Sequence, residues 1–334
     1  MPKKTPQQNS LTSSIAIVSR HRDPTKASFI HYSFVHLKTI HRTFTRVSQE
    51  MVLVFDQVFS PAACAVLHTA ACSRALGHAL FPREQPGSAI EAALASFLNE
   101  VGDSSTHVEY WSRQDWKHIE AHADVDEKHA VATLGRESLR YPRSAHVLYL
   151  EVGRRVRGPT CVWEPHASSS SLFGTLTTVP AVAGRVLRFD GRYQHAVPRP
   201  ADVWLAPFAI SQSGGAKDFV RSVILFNTWE EPPMGVEQEA PPESETRNDL
   251  IVARCAPRAE WVGVAPRATS DTGSDADRGT MKVWLLGDIH RRGQLERTLL
   301  LPVNRRALAD ALEQSSEVTR LEMPASPPAE ALRL

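Results

Sequence analysis

Cysteine is scarce in this chain of 334 residues, and its four cysteines form no CxxC pair and no dense cluster. Structural zinc sites and disulfide scaffolds need closely spaced cysteines, so we predict neither, and we expect a reducing compartment. Apolar runs of about 18 residues are also missing, so no membrane-spanning helix is predicted. The sequence is therefore typical of a soluble, intracellular protein.

An excess of charge of one sign is lacking as well. The chain has 38 Lys and Arg residues against 37 Asp and Glu residues, which gives a net charge of +1. A whole-protein field that would attract nucleic acid or an anionic membrane is therefore not expected. The length suffices for one sizeable hydrophobic core with an extension, so an enzyme pocket can be built.

The first 50 residues differ from the rest in composition. They contain eight Lys and Arg residues but only two acids, Asp23 and Glu50, and they are rich in Ser, Thr and His. Organelle-targeting segments often have this composition, and so do disordered ends of chains. Residues 1–50 are thus predicted to be a basic N-terminal tail, and the sequence leaves both interpretations open.

Two helices are predicted next along the chain. Ser60-Pro61 combines an N-cap residue with proline at the first helical position, and the Ala-, Leu- and Val-rich stretch after it predicts a helix to about Phe81. Ser88 and Glu91 have the spacing of a capping box, and Gly102 is the expected end of the second helix. Both helices are expected to brace a sheet.

Short β-type runs replace the helical pattern after this point. They are punctuated by Gly, Pro and Ser and comprise residues 107–110, 147–152, 161–163, 172–179, 185–189, 203–210 and 219–229. Short strands at this spacing, with no long helices between them, favour an antiparallel sandwich or jelly roll over βαβ units. The predicted fold class is mainly β with flanking helices (α+β).

Composition also divides the chain into regions. Glu231-Pro232-Pro233 and Pro241-Pro242-Glu243 are typical of an acidic, proline-rich linker. The predicted order is a tail (1–50), a main domain (51–230, with helices in 60–101 and a β-core in 105–230), a linker (231–280), a small C-terminal accessory module (281–323) and a disordered end (324–334).

His122-Ala123-Asp124 has the spacing of a metal motif. Side chains at positions i and i+2 of a strand project from one face, so an imidazole and a carboxylate can reach the same ion. Two histidines and one carboxylate on one face of Fe(II) leave positions open for a bidentate co-substrate and O2. A third ligand, more distant in the sequence, would complete such a site.

The His-x-Asp/Glu pattern has little weight alone. With 14 His and 37 acidic residues in 334 positions, about 1.5 matches are expected by chance. The chain contains four: His21 with Asp23, His107 with Glu109, His118 with Glu120, and His122 with Asp124. The pair His118 and Glu120 is the main rival because it lies on the same stretch as His122.

Several further segments follow in a fixed order. They are residues 108–111 with 122–127, residues 147–150, Gly158-Pro159-Thr160, residues 184–191 with 195–198, and residues 221–229. Together they resemble the core of prolyl-hydroxylase-like 2-oxoglutarate/Fe(II)-dependent oxygenases, over about residues 105 to 230. The resemblance implies a double-stranded β-helix core of the jelly-roll or cupin-like kind.

The resemblance also implies roles for single residues. The implied iron ligands are His122, Asp124 and His195, the implied anchor of the C5 carboxylate of 2-oxoglutarate is Arg221, and Tyr149 and Tyr110 are implied co-substrate contacts, Tyr110 as pocket wall. A planar guanidinium suits a carboxylate because its N–H donors are parallel. The implied cofactors are Fe(II) and 2-oxoglutarate, with ascorbate as a further candidate, and O2 is the other co-substrate.

The implied reaction is oxidative decarboxylation of 2-oxoglutarate coupled to hydroxylation of a substrate that the sequence does not identify. A protein side chain such as proline is one candidate. Two alternatives remain open: a catalytically degenerate jelly-roll module that binds a partner, and another metal-dependent cupin in which His118 or Glu120 is a ligand.

Two features depart from the family pattern. His195 and Arg221 are 26 positions apart, more than twice the spacing usual in the family, so an insertion over residues 198–217 is predicted to loop out. Val223 stands where some relatives have a Ser or Thr that assists the carboxylate. Tyr149 would then bear more of that task.

Overall fold

The computed structural model describes part of the chain, and all of the described residues lie in the second of its two units, residues 48–334. They are residues 52–74, 77–133, 139–156, 159–165, 174–198, 218, 220–240, 246–256, 262–264, 267–269, 278–284 and 296–322. The predicted N-terminal tail, the predicted strand at 203–210, most of the predicted insertion and the C-terminal end lie outside them.

Five helices and fifteen strands are formed by the described residues. The helices are α1 (Pro61–Ser73), α2 (Ala89–Glu100), α3 (Glu127–Ala132), α4 (Arg247–Val252) and α5 (Arg305–Glu313). The strands are β1 (Val52–Asp56), β2 (Ala79–Pro82), β3 (His107–Asp115), β4 (Ile119–His122), β5 (Ser144–Val152), β6 (Thr160–Glu164), β7 (Thr175–Val179), β8 (Val186–Asp190), β9 (Gln194–Val197), β10 (Val220–Trp229), β11 (Val262–Gly263), β12 (Arg267–Thr269), β13 (Arg278–Trp284), β14 (Glu296–Asn304) and β15 (Thr319–Glu322).

These strands form two sheets. Sheet I has the order β11-β1-β8-β5-β10-β3-β2, and sheet II has the order β12-β15-β7-β6-β9-β4-β13-β14. From β3 to β10 the chain crosses repeatedly between the sheets, and neighbouring strands of this central part pair antiparallel. The prediction of a mainly β fold with flanking helices and a jelly-roll core is confirmed.

Each face of sheet I has its own hydrophobic core. One core lies between the two sheets and joins Val147, Tyr149 and Val223 of sheet I to Val162 and Val179 of sheet II. The other core lies on the opposite face of sheet I, where residues of α1 and α2 pack against the strands. Since side chains alternate along a strand, the residues of sheet I are divided between these two environments.

Helix α1 is shorter than predicted. It begins as expected, because the Ser60 hydroxyl accepts a hydrogen bond from the Ala63 amide at 3.1 Å. It ends at Ser73 rather than near Phe81, since residues 79–82 pair antiparallel with β3 as an edge strand. The backbone pairing of β2 thus outweighs the helix propensity of its Ala-Leu-Phe sequence.

Helix α2 begins and ends close to the prediction. The Ser88 hydroxyl accepts a hydrogen bond from the Glu91 amide at 3.2 Å, and the last helical residue is Glu100. The buried side chains of α2 include Leu94 and Phe97, which belong to the core on the helix side of sheet I. None of the five described helices has the length and apolar character that a membrane span requires.

The described parts of residues 231–322 hydrogen-bond to the core. The Leu80 amide donates to the Glu237 carbonyl, and the Ala256 amide donates to the Val58 carbonyl. Further along, β15 pairs antiparallel with β7, and β13 pairs with β4 through Val283 and Ala121. The division into main domain, linker and accessory module stays a prediction.

His146 gives the helix-side core a pH-dependent element. Its ring is buried and stacks on Phe226, with centroids 4.3 Å apart. Burial, together with the nearby charge of Arg188, lowers the pKa of His146 to about 3. A histidine in the unfolded chain has a pKa of about 6.5, so the unfolded state takes up a proton first as the pH falls. Its contribution to stability is therefore present above pH 6.5 and is lost as the pH falls toward 3.

We expect His146→Leu to reduce the acid-induced loss of stability between about pH 6.5 and 4. The measurement is the melting temperature of metal-free protein across this range. Phe226→Leu is the control, because it reduces packing against the same ring but removes no titrating group, and should lower the melting temperature at every pH. An undiminished acid loss in His146→Leu would contradict the assignment.

Candidate metal centre

Two histidines meet across neighbouring strands of sheet II. Strands β4 and β9 pair antiparallel, and His122 lies directly opposite His195 in their register. Residues directly opposite each other in an antiparallel pair project from the same face. The two imidazole centroids are accordingly 4.3 Å apart.

Asp124 completes the cluster from just beyond the end of β4. Its Oδ1 lies 3.6 Å from Nε2 of His122 and 3.8 Å from Nε2 of His195. One ligand atom from each residue can be chosen so that all lie within 4.8 Å of one another. Ligand atoms on one metal ion stand about 2.0 to 2.2 Å from it, so gaps of about 3 to 4 Å suit a common ion.

Backbone hydrogen bonds orient both imidazoles. Nδ1 of His122 lies 2.8 Å from the Glu120 carbonyl oxygen, and Nδ1 of His195 lies 3.3 Å from the Tyr193 carbonyl oxygen. Because a carbonyl oxygen only accepts, each Nδ1 must be the protonated nitrogen. In the neutral form of each ring, Nε2 then has its lone pair on the side of Asp124, which is the tautomer a metal ligand needs.

The charge states also suit a cation. Burial, together with the neighbouring His195, lowers the pKa of His122 to about 4, so this imidazole is neutral at pH 7. Burial alone would raise the pKa of Asp124, but His195, His122 and the Asn227 amide together hold it below its usual value. A carboxylate beside a neutral imidazole is what a divalent ion needs.

Asn227 fixes the Asp124 carboxylate from sheet I. Its amide Nδ2 donates to Oδ2 of Asp124 at 3.2 Å, which leaves Oδ1 for the two histidines. Asn227 is buried on β10, so this contact joins the two sheets at the site. The sequence motif contained Asn227, but its role was not predicted because nothing local indicates which residue Asp124 contacts.

We expect Asn227→Leu to weaken metal binding by about 10- to 100-fold, the usual effect of losing a hydrogen bond to a ligand. Leucine keeps the approximate shape of the side chain but cannot donate to Asp124. The measurement is the dissociation constant for Mn(II) or Fe(II) under anaerobic conditions. Thr228→Val is the control, since its hydroxyl bonds the Ser144 carbonyl instead. Equal affinities in wild type and Asn227→Leu would refute the role.

Arg221 lies in the interior on β10. Its side chain is 2% exposed, and its Nη2 donates to the Thr160 hydroxyl at 2.8 Å. The Tyr149 hydroxyl lies 2.7 Å from the same Thr160 oxygen, and the guanidinium carbon is 5.3 Å from the Tyr149 ring centroid. The structure thus brings together two predicted residues, Arg221 and Tyr149, through a third that was not singled out.

Thr160 supplies a hydroxyl group beside Arg221 that Val223 cannot provide. Val223, which stands where some oxygenases of the kind that the sequence resembles have Ser or Thr, packs in the core between the sheets. Thr160, the first residue of β6, reaches Arg221 from the opposite sheet. Its position in Gly158-Pro159-Thr160 was the only indication in the sequence.

Tyr110 does not join the other predicted residues. It lies on the helix side of sheet I, where its hydroxyl donates to Oε1 of Glu91 at 3.0 Å. The Arg74 guanidinium covers its ring at 4.3 Å from the centroid. Its neighbours on β3, Glu109 and Trp111, project from the opposite face of the strand.

The rival residues His118 and Glu120 are not part of the metal cluster. Within the described residues, His122, Asp124 and His195 form the one group of three or more candidate ligands with this proximity. His118 is exposed before the start of β4, and Glu120 contributes its backbone carbonyl to orient His122. The alternative of another metal cupin with these ligands receives no geometric support.

Comparison with known proteins gives matches among solved structures. No protein-family model and no curated protein matches the chain. A prolyl-4-hydroxylase from Pseudomonas putida is 13% identical with a TM-score of 0.34, over 53% of this chain and 84% of that one. HygX from Streptomyces hygroscopicus with iron bound is 15% identical with a TM-score of 0.33, over 59% of this chain and 88% of that one.

A third match is a 2OG-Fe(II) oxygenase family oxidoreductase from Burkholderia pseudomallei, 12% identical with a TM-score of 0.23, over 40% of this chain and 50% of that one. The three matched structures are thus a prolyl-4-hydroxylase, an iron-bound HygX and an oxidoreductase of a 2OG-Fe(II) oxygenase family. Similarity at this level leaves the reaction of the chain to be inferred from its own residues.

Proposed function

We propose that this protein is a 2-oxoglutarate- and Fe(II)-dependent dioxygenase that hydroxylates a substrate still to be identified. In this proposal His122, Asp124 and His195 are the iron ligands. Arg221 binds the C5 carboxylate of 2-oxoglutarate, with Thr160 and Tyr149 beside it. O2 is the second co-substrate, and ascorbate remains a candidate reductant.

The observation that supports this proposal most is the state of Arg221. Among the described residues its buried guanidinium has no carboxylate partner, and its Nε has no hydrogen-bond acceptor. Arg185 is equally buried but pairs with Asp56, with Nη2 2.9 Å from Oδ2. A buried, unpaired cation is costly, so a site that keeps one is prepared for an anion.

The donor set fits the proposed groups. Two imidazoles and one carboxylate suit Fe(II) and leave positions for further ligands. The parallel N–H donors of Arg221 suit a carboxylate, and burial of this arginine excludes water that would compete for it. A dianionic molecule with a metal-chelating end and a distal carboxylate matches both parts.

Each residue then has a defined task. The imidazoles of His122 and His195, which hydrogen-bond to backbone carbonyls, would direct Nε2 toward the metal. Asn227 holds the Asp124 carboxylate in place by a hydrogen bond. Arg221, steadied by Thr160, orients the co-substrate by its far end. When bound, Fe(II) with 2-oxoglutarate and O2 supplies oxidative decarboxylation to succinate and CO2 together with hydroxylation of a substrate C–H bond. A protein side chain is one candidate substrate.

The proposal is tested by metal analysis of anaerobically purified protein, followed by succinate release with Fe(II), 2-oxoglutarate and O2. A stoichiometry near one iron per chain and iron-dependent succinate formation are expected. Tight 2-oxoglutarate binding with no turnover over a broad panel of substrates would instead favour the binding-module alternative. Failure to bind either Fe(II) or 2-oxoglutarate would refute the proposal.

A further inference from the structure

Strand β3 presents a second set of polar side chains to the interior between the sheets. In its antiparallel register with β10, Arg113 lies opposite Val223, and Glu109 lies opposite Asn227. Opposite residues share a face, and Asn227 and Val223 both point to the interior. Arg113, Trp111 and Glu109 therefore line the same side as the candidate metal centre.

Arg113 is a cation without a fixed counter-ion. Burial lowers its pKa, while the charge of Asp124 raises it and that of Arg221 lowers it, so all three lie within electrostatic range. Arginine nevertheless stays protonated at neutral pH. Among the described residues Arg113 forms no ion pair and no hydrogen bond through its side chain. It is also partly exposed, unlike Arg221, so a molecule arriving from solvent can reach it.

Trp111 adds an unused donor two residues away on the same face. Its side chain is only 8% exposed, and its Nε1 has no acceptor. His78 stacks on its ring, with centroids 4.4 Å apart and planes at 6°. The indole is thus held in place, and a buried N–H without an acceptor is costly unless a ligand accepts from it.

The two carboxylates of β3 on this face already have partners. Oδ2 of the exposed Asp115 lies 3.8 Å from Nζ of Lys117. Oε1 of Glu109 lies 2.7 Å from Nδ1 of His78, and Oε2 accepts a hydrogen bond from Nε1 of Trp229 at 3.0 Å. Glu109 therefore contacts His78 and Trp229 rather than Arg113. The positive charge of Arg113 and the N–H of Trp111 remain available beside the metal centre.

We propose that Arg113 and Trp111 form a second anion site that binds a carboxylate or phosphate group of the primary substrate. This inference rests on the proposed function, in which Arg221 binds the co-substrate at the deeper end. An arginine fork with a nearby N–H donor suits either anion. The substrate is accordingly an anionic molecule, or an acidic or phosphorylated segment of one, whose charged group lies near the C–H bond to be hydroxylated.

The test uses protein loaded with Mn(II) and saturated with 2-oxoglutarate, with inorganic phosphate and acetate as separate probes. The readout is paramagnetic relaxation of the phosphorus nucleus and of the acetate methyl protons by the bound Mn(II). Saturable relaxation is expected in wild type. Arg113→Gln should weaken phosphate binding by about 10-fold or more, Arg113→Lys by less, and Trp111→Phe by a few fold, since phenylalanine keeps the ring but not the donor.

Lys117→Gln is the matched control, because it removes one positive charge from an exposed side chain after β3 and should leave phosphate binding unchanged. The 2-oxoglutarate affinity of Arg113→Gln should stay within about 2-fold of wild type. A large loss would assign Arg113 to the co-substrate and overturn the proposal. Phosphate relaxation that is absent in wild type, or unchanged in Arg113→Gln, would overturn it as well.

Failure of the proposed function would look different, because the wild type would then not retain Mn(II) or 2-oxoglutarate. Calorimetric measurement of phosphate binding to the metal-free protein would still test whether Arg113 and Trp111 bind an anion. Binding that depends on Arg113 would support the site, and binding that does not would refute it.

Discussion

His195→Ala is expected to abolish both tight metal binding and Fe(II)-dependent succinate formation. The variant removes one of three candidate ligand side chains, and an alanine methyl group cannot replace the Nε2 lone pair. The loss of affinity should exceed the roughly 10- to 100-fold typical of losing a residue that only supports a ligand. Metal content after anaerobic dialysis and succinate release measure the two effects.

His118→Ala is the control for this prediction. His118 lies on the same stretch as His122 but outside the cluster, so its removal should leave metal content and turnover close to wild type. If His118→Ala lost the metal while His195→Ala kept it, the alternative with His118 as a ligand would replace the proposed set. Circular dichroism of both variants would show whether the fold persists.

Arg221→Gln is expected to lower the affinity for 2-oxoglutarate by roughly 30- to 4,000-fold while leaving metal binding intact. Removing one member of a buried, hydrogen-bonded charge pair costs about 2 to 5 kcal/mol, and each 1.4 kcal/mol is tenfold in affinity. Arg221→Lys should recover part of the loss, since lysine keeps the charge but not the fork. Calorimetric titration of the Mn(II)-loaded protein with 2-oxoglutarate measures both.

Arg185→Gln is a suitable comparison for this second prediction. Arg185 is as buried as Arg221 but is paired with Asp56, so its removal should reduce thermal stability more than 2-oxoglutarate affinity. Equal losses of 2-oxoglutarate affinity in the two variants would indicate a general effect on folding. Unchanged affinity in Arg221→Gln would remove the main support for the proposed function.

Much of the fold and the metal cluster could be predicted from the sequence because both depend on order along the chain. The β-type runs and their punctuation give the strands, and the ordered motifs relate His122 to His195. The sequence pattern predicted that Asp124 shares a strand with His122, but β4 ends at His122 and Asp124 lies beyond the strand. Its position depends on the contact with Asn227.

Side-chain direction on β3 was the harder problem. Both faces of this strand are covered, one by the helices and one by the second sheet, so its sequence lacks the polar alternation that distinguishes an outer face. Tyr110 was therefore placed at the pocket wall in the prediction, whereas Arg113 and Trp111 face the interior. The same limit applies to Thr160, which meets Arg221 only because the two sheets face each other.

Strand β13, which pairs with β4 beside the site, limits how far this protein can be truncated. The pairing of Val283 with Ala121 occurs one residue before His122, so a strand from the C-terminal region borders the one that bears the first candidate ligand. A fragment that ends near residue 230 would lack β13, so one edge of β4 would have no pairing strand. Fraying and self-association of this edge are then expected. Low metal content in such a fragment would then result from the truncation. Metal binding by the candidate centre should therefore be measured on the whole chain.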